Sequence, residues 1–114
     1  MAYRIEFIKE AAVDYKSLDG SIKDKVDKRL EELSGNPFLG ELLGNKYNID
    51  LTGYYKIYVN SKRHRIVYRL ITPDNIEVIE IWGIGKRDKE EIYRTIGKRI
   101  GSLRVPSSSL KTVP

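Results

Sequence analysis

Cations and tyrosines stand close together in two segments in the second half of the chain. Lys56 lies between Tyr54 and Tyr58 in the first segment, and Arg65 and Arg69 lie in the second. Cations neutralise phosphate groups and aromatic rings stack on unpaired bases, so this pattern is typical of a nucleic-acid-binding surface. A solvated sheet face is the alternative, because tyrosine is also a good strand former.

A second group of candidates follows the last apolar run. Residues 83–87 read GIGKR, which is too short for a glycine-rich phosphate fingerprint and lacks the Ser/Thr of a P-loop. As a turn from strand to helix, the segment would still place Lys86, Arg87 and backbone amides at a helix start, where anions bind. Tyr93 follows on that helix. The pattern favours a packing role for His64, although a pKa near neutrality suits proton transfer.

The composition narrows the classes of function. The chain has 114 residues, 40% hydrophobic and 32% charged, with no cysteine and one histidine, which indicates one globular domain. Thiolate zinc sites, iron–sulfur clusters, cysteine nucleophiles and two-histidine metal motifs are excluded, and we expect no metal and no cofactor. Because residues 1–10 lack the apolar stretch of a signal peptide and no apolar run approaches ~18 residues, we expect a cytoplasmic protein without a membrane partner.

The charge is unevenly distributed along the chain. Residues 1–53 hold 8 basic and 10 acidic residues, a net charge of −2, whereas residues 54–114 hold 13 basic and 6 acidic residues, a net charge of +7. A basic half on a small domain points to a polyanionic partner, of which nucleic acid is the commonest. A solubilising surface is the alternative.

Hydrophobic spacing predicts the elements that position these residues. We interpret the chain as strands at residues 3–7, 54–59, 64–71 and 76–82 and as helices at 9–18, 22–33 and 87–100. Residues 38–53 are interpreted as a loop with a short edge strand at 47–51. The order β-α-α-β-β-β-α predicts an α+β fold, a small twisted and mainly antiparallel sheet with a helical hairpin on one face and a C-terminal helix. Residues 1–101 form the predicted domain, and 102–114 a flexible tail.

The hairpin of the second and third strands separates its side chains into two faces. A loop at residues 60–63 pairs Val59 with His64, and side chains alternate along each strand. The mostly apolar face, expected against the helices, carries Tyr55, Ile57, Val59, His64, Ile66, Tyr68 and Leu70. The other face is expected to be an open surface that carries Tyr54, Lys56, Tyr58, Arg65, Val67 and Arg69.

Six short motifs, taken in order, resemble the RelE/ParE toxin superfamily, and its RelE branch in particular. They are YRIEF at 3–7, the helical hairpin that ends at Asn36-Pro37, LTGYYKI at 51–57, RIVY at 65–68, GKR at 85–87 and EIY at 91–93. The resemblance runs from about residue 3 to residue 100. It implies the toxin of a type II toxin–antitoxin module, neutralised by a cognate antitoxin.

The resemblance also implies a reaction. RelE-like toxins enter the ribosomal A site and cleave mRNA without a metal, by attack of a 2′-hydroxyl on the adjacent phosphate that leaves a 2′,3′-cyclic phosphate. Position by position, it implies that Lys56 and Arg65 contact the scissile phosphate, that Arg87 binds phosphate and assists the leaving group, and that Tyr93 stacks on or orients the target base. We further predict that Tyr54, Tyr58, Arg69 and Lys86 bind RNA.

One position departs from the RelE pattern. Tyr58 stands where the family has a second lysine, often assigned as the general base, and a tyrosine with an ordinary pKa of about 10 is a poor base. Lys62, Arg63 or His64 would have to substitute, or Lys56 would serve alone. The departure leaves open a ParE-like inhibitor of DNA gyrase, or an inactive relative that binds nucleic acid or a partner.

Overall fold

A five-stranded mixed sheet with helices on both faces forms the molecule. The computed structural model describes residues 3–46, 48–72, 77–86 and 91–104. Within these ranges the elements are β1 (Arg4–Phe7), α1 (Lys9–Lys16), α2 (Gly20–Gly35), β2 (Glu41–Lys46), β3 (Ile49–Val59), β4 (His64–Ile71), β5 (Val78–Lys86) and α3 (Glu91–Arg104). The strand order is β1-β5-β4-β3-β2, with β1 parallel to β5 and the other pairs antiparallel. The predicted α+β class is confirmed.

The prediction of a loop over residues 38–53 was wrong. Strand β2 occupies residues 41–46 and pairs with an extended β3 that begins at Ile49. Positive φ angles at Gly44 (71°), Asn48 (61°) and Gly53 (89°) bend the hairpin. These residues interrupt the apolar alternation, which is why the pattern resembled a loop. Tyr47, in the predicted edge strand, lies outside the described residues.

Two further boundaries differ from the sequence prediction. Strand β5 continues through Gly83 and Gly85 to Lys86, so these glycines lie in a strand and not in a strand-to-helix turn. Helix α3 continues to Arg104, beyond the predicted domain boundary at residue 101. Residues 87–90 and 105–114 lie outside the described residues.

The helical hairpin covers one sheet face, as predicted. Val26, Leu30 and Leu33 of α2 form one core cluster with Ile57 and Ile66 of the sheet. The register pairs Val59 with His64 and Tyr58 with Arg65, which confirms the predicted assignment of side chains to faces.

The opposite face is not open, because α3 packs on it. Ile92, Ile96 and Ile100 of α3 form a second core cluster with Tyr54, Val67 and other apolar residues of the sheet. The spacing of four residues gives α3 an apolar stripe, which needs apolar sheet residues to pack against. Tyr54 and Arg65 are each only 3% exposed. Val67, on the same face, is completely buried. The prediction of an open surface was therefore wrong for these three residues.

The two glycines of β5 let α3 approach the sheet closely. A Cβ atom at Gly83 would lie 2.6 Å from Ile96 Cδ1, and one at Gly85 would lie 3.0 Å from Ile92 Cδ1. Arg99 of α3 also donates two hydrogen bonds to Asp14 of α1, at 2.8 and 3.0 Å, and one to the carbonyl of Trp82. No helix in the described ranges is both long and apolar enough to cross a lipid bilayer.

Candidate active site

A cluster of cationic and tyrosine side chains lies where β3, β4 and α3 meet. Lys56 Nζ donates a hydrogen bond to the hydroxyl of Tyr58 at 3.0 Å. Tyr58 lies directly opposite Arg65 in the β3–β4 register. The guanidinium carbon of Arg65 lies 5.2 Å from the ring centre of Tyr58 and 4.9 Å from that of Tyr93. The structure thus brings together Lys56, Tyr58, Arg65 and Tyr93, which we name the β3–β4 cluster.

The ring of Tyr58 is the centre of this cluster. Lys56 Nζ lies 4.9 Å and Lys62 Nζ 5.7 Å from its ring centre, in addition to the guanidinium of Arg65. A cation over an aromatic ring gains about 0.5–2 kcal/mol, more where water is excluded. These contacts hold three like charges close together; the carboxylate of Glu41, 3.5 Å from Lys56 Nζ, is mostly exposed.

The protonation of Lys56 favours a role as a cation. Burial lowers its pKa, but the hydrogen bond with Tyr58 and the nearby Tyr93 and Tyr58 side chains raise the pKa more strongly, while Arg65 lowers it. The net pKa is raised, so Lys56 is charged at neutral pH. It is suited to stabilise an anion and poorly suited to remove a proton.

His64 lies apart from the cluster, since consecutive strand residues point to opposite faces. It is 6% exposed, and its Nδ1 lies 3.3 Å from Nδ2 of Asn60. Burial lowers its pKa, and the charge of Lys86 lowers it further. The ring is therefore neutral at pH 7 and packed on the face that the helical hairpin covers.

Arg69 belongs to a separate stack farther along β4. Its guanidinium carbon lies 5.9 Å from the ring centre of Tyr54 and 5.2 Å from that of Trp82. Its Nε donates to Glu80 Oε1 at 2.6 Å, and Trp82 Nε1 donates to the same oxygen at 2.8 Å. The charge of Arg69 is thus compensated within the protein, and its predicted contact with RNA stays a prediction.

Two of the remaining predicted residues, Tyr54 and Lys86, lie outside the cluster. Tyr54 is buried beneath α3, so it does not offer a ring to a base in this structure. Lys86 is exposed at the end of β5 and lies opposite His64 in the β4–β5 register. Arg87 lies outside the described residues. Among those that are described, no group of three or more histidine, cysteine or carboxylate side chains is placed to hold a metal ion.

Sequence reasoning missed a groove beside the β3–β4 cluster. It has a volume of about 670 Å³ and lies between α2 and the end of β3. Lys25, Lys28 and Arg29 of α2 line it, together with Lys56 and Lys62. Their spacing i, i+3, i+4 on α2 was the available signal, because such residues share one helix face. It was not recognised because acidic residues on the other faces make α2 look uniformly charged.

The cluster can bind and stabilise an anionic group. Cations held in place before the reaction, at a site from which water is partly excluded, stabilise developing negative charge more than mobile surface charges do. A tetrahedral phosphate is the size and charge that Lys56 and the neighbouring arginine would accommodate. The geometry therefore supports the binding of an anion beside Lys56.

Known proteins are similar to this chain in sequence and in fold. The family described as the ParE toxin of the type II toxin–antitoxin system parDE matches residues 5–91. The mRNA interferase toxin RelE of Escherichia coli K12 is 30% identical over 100 residues, which are 88% of this chain and 99% of that protein. A structure of an E. coli RelE mutant in the free state aligns with a TM-score of 0.66 and 27% identity, over 88% of this chain and 99% of that one.

A toxin–antitoxin complex is also similar. The E. coli RelBE complex aligns with a TM-score of 0.60 and 25% identity, over 76% of this chain and 99% of the matched chain. The family match, the identity with RelE over nearly the whole domain and the shared fold agree with one another. The chain belongs to the RelE/ParE superfamily of type II toxins, and within it to the RelE-like proteins.

Proposed function

We propose that this chain is an endoribonuclease, the toxin of a type II toxin–antitoxin module, which cleaves mRNA in the ribosomal A site. The observation that carries the proposal is the β3–β4 cluster, in which Lys56 and Arg65 are held side by side by aromatic rings. Relatives named mRNA interferase RelE, and a related RelBE complex, support the activity and a cognate antitoxin as partner. Action on ribosomes places the protein in the cytoplasm.

The reaction that fits these residues needs no metal. The 2′-hydroxyl of one nucleotide attacks the adjacent phosphorus and gives its proton to water, the bond from phosphorus to the 5′-oxygen breaks, and the 5′-oxygen takes up a proton from water. The products are a 2′,3′-cyclic phosphate and a 5′-hydroxyl end. Lys56 stabilises the crowded, doubly charged phosphorane, and one preorganised donor of this kind contributes about 10²–10³-fold in rate. Arg65 is only 3% exposed, so its contact with the phosphorane requires the guanidinium to become accessible when RNA binds.

Tyr93 has a positioning role in this state of the protein. Its ring is completely buried and lies against the guanidinium of Arg65. We therefore assign it to orient Arg65 toward the phosphate. The base-stacking role implied by the resemblance would require the ring to become exposed when RNA binds. The role proposed for Arg87, at the leaving 5′-oxygen, rests on the resemblance alone.

Primer extension on mRNA from cells that express the protein tests the function. Cuts confined to translated reading frames are expected, because the A site exists only on translating ribosomes. Lys56→Gln, which shortens the side chain by one atom and removes its charge, should reduce cleavage about 10²-fold while the fold persists. Intact mRNA together with double-strand breaks in DNA would instead establish a gyrase inhibitor of the ParE type. Growth arrest by Lys56→Gln as strong as that by the parent would also contradict the proposal.

A further inference from the structure

The groove beside the β3–β4 cluster exists because β3 is longer than its neighbour. Strand β2 pairs with β3 only as far as the pair Glu41 and Lys56, so the edge of β3 beyond Lys56 faces α2 and not another strand. The hairpin loop after Val59 closes one end. Lys56 and Tyr58 line both this groove and the β3–β4 cluster. The two sites therefore share the edge of β3, and α2 and the β3–β4 cluster lie on opposite faces of the sheet.

Charge is segregated into the groove. Helix α2 carries four cations and four carboxylates, yet the groove receives Lys25, Lys28 and Arg29 from it and only Glu32 of the acids. With Lys56 and Lys62 from the sheet and loop, five cations face two carboxylates, Glu32 and Glu41. A solvated helix face would need no such segregation.

Neutral acceptors hold two of these cations in place. Arg29 Nε donates to the carbonyl oxygen of Tyr58 at 3.0 Å, and Lys25 Nζ donates to Oδ1 of Asn60 at 2.9 Å. Neither of these acceptors cancels the charge; the one carboxylate that pairs with Arg29 is that of Glu32, 2.7 Å from its Nη1, while five cations face only two carboxylates in the groove as a whole. These bonds connect the helix to the sheet edge and to the hairpin loop, so the groove is built before any ligand arrives.

The hairpin loop is strained at the same place. Asn60, Ser61 and Lys62 have φ angles of 56°, 54° and 70°. The left-handed region costs a residue other than glycine roughly 1–2 kcal/mol. Such strain is concentrated at functional sites. Here the conformation of the loop places the Lys62 ammonium over the ring of Tyr58, at the point where the groove meets the β3–β4 cluster.

We infer that this groove is a second RNA-binding site, which takes the sugar–phosphate backbone of the strand on one side of the scissile phosphate. The inference rests on the proposed function for the position of that phosphate at Lys56 and Arg65. A strand that leaves this point and passes over the edge of β3 reaches the α2 cations. Backbone contacts of this kind hold the RNA and do not read its sequence.

A protein segment fits the groove less well. A partner strand would add to the open edge of β3 by pairing with its backbone groups. The Tyr58 carbonyl at this edge already accepts the hydrogen bond from Arg29. A phosphate backbone needs no such pairing and interacts with the cations as they stand.

The test measures RNA binding without ribosomes and without cleavage. A short single-stranded 2′-O-methyl RNA cannot be cleaved, because its 2′-hydroxyl is blocked, and its binding is followed by fluorescence anisotropy over a range of salt concentrations. The parent is compared with Lys25→Gln/Lys28→Gln. The matched control is Lys9→Gln/Lys98→Gln, which removes the same charge from exposed residues of α1 and α3 outside the groove. Arg29 is left intact because it also supports the sheet edge.

We expect the plot of log affinity against log salt to become shallower by about 1.4 in the groove variant, since each lost phosphate contact removes about 0.7 from a single-strand slope. The control should keep the slope of the parent. A groove variant that binds RNA with the parent's slope overturns the inference. If that variant instead loses affinity for a polyglutamate peptide alone, the groove is a site for an acidic protein segment, which also overturns it.

The outcomes separate this inference from the proposed function. Cleavage on programmed ribosomes is measured in parallel for the parent. If the parent does not cleave but the groove variant loses RNA contacts, the proposed function fails and the RNA site stands. If the parent cleaves and the groove variant binds RNA unchanged, the function stands and the RNA site fails. Thermal unfolding of both variants confirms that neither has lost its fold.

Discussion

Tyr58 is the residue at which this chain departs from the RelE pattern, and the structure gives both parts of its side chain a contact. Its hydroxyl accepts a hydrogen bond from Lys56, and its ring is faced by Lys56, Lys62 and Arg65. The ring therefore holds these cations in place, whereas a second lysine would only add another cation. The raised pKa of Lys56 likewise favours charge stabilisation over proton removal.

Two substitutions at Tyr58 separate the ring from the hydroxyl. Tyr58→Phe keeps the ring and loses one hydrogen bond, worth about 1 kcal/mol, so cleavage on programmed ribosomes should fall by at most about fivefold. Tyr58→Lys removes the ring and adds a fourth cation beside Lys56 and Arg65, so cleavage should fall by at least about tenfold. A collapse of activity in Tyr58→Phe would show that the hydroxyl takes part in proton transfer. Higher activity in Tyr58→Lys would show that the tyrosine replaces a lost base.

The hairpin loop offers a test of strain against function. Lys62→Gly relieves a φ angle of 70° and should raise the free energy of unfolding by about 0.5–1 kcal/mol, because the relief of roughly 1–2 kcal/mol exceeds the entropic cost of glycine. It should lower cleavage, because the cation over Tyr58 is lost. Ser61→Gly is the control, since it relieves a φ angle of 54° and keeps every cation. Urea unfolding of Ser61→Gly should also show a raised free energy of unfolding, and its cleavage should be unchanged. Equal cleavage by the two variants would remove Lys62 from the site.

At the scale of elements, α3 decides what the β3–β4 cluster can contact. The helix covers the sheet face that carries Arg65, and Tyr93 on the helix completes the stack over that arginine. Its position depends on the close approach at Gly83 and on the bidentate ion pair of Arg99 with Asp14, whose side chains are 15% and 19% exposed. A pair this well covered loses more when one partner is removed than a surface pair does.

Asp14→Asn should therefore loosen α3. The substitution removes the negative charge that faces Arg99, and we expect a loss of about 2–3 kcal/mol in the free energy of unfolding, with cleavage lowered through Tyr93 and Arg65. Trp82, the only tryptophan in the chain, lies beneath α3 and reports its docking by fluorescence. The control is Glu6→Gln, in the exposed ion pair with Arg4, which should change stability by less than about 1 kcal/mol. Unchanged cleavage in a destabilised Asp14→Asn variant would show that the site does not depend on the anchoring of α3.

The sequence was sufficient for local pairing but not for tertiary placement. The turn at residues 60–63 and the alternation after it fixed the β3–β4 register, and the motifs around Lys56 and Arg65 indicated the family. The isoleucine stripe of α3 predicted an amphipathic helix, but nothing in its spacing says which sheet face it covers. The groove depends in the same way on where α2 lies relative to the edge of β3. The positions of α3 and of α2 on the sheet are both set by long-range contacts, which hydrophobic periodicity does not encode.

At the scale of the whole molecule, Tyr68 joins the sheet to the connection between α2 and β2. Its hydroxyl donates to the carbonyl of Pro37 at 2.8 Å and accepts from the backbone N–H of Gly40 at 3.0 Å. Its ring stacks on Tyr55, with centroids 5.2 Å apart. Burial, with a smaller contribution from Tyr55, raises the pKa of Tyr68 to about 12, although the hydrogen bond from Gly40 opposes this shift.

The stability of the molecule should consequently depend on Tyr68 in a way that changes with pH. Tyr68→Phe leaves the two backbone groups without this partner, so at about pH 9 it should lower the free energy of unfolding by roughly 1–3 kcal/mol. The unfolded tyrosine ionises near pH 10 and the folded one near 12, so the stabilisation is complete below pH 10 and is lost as the pH rises toward 12. The gap between parent and variant should therefore shrink by about 1.4 kcal/mol between about pH 9 and 11, at roughly 1.4 kcal/mol per pKa unit. Urea unfolding at the two pH values measures this, and the other tyrosines cancel because both proteins carry them. A gap that stays constant would mean that the Tyr68 hydroxyl ionises as readily folded as unfolded, and that it does not hold the α2–β2 connection to the sheet as the structure describes.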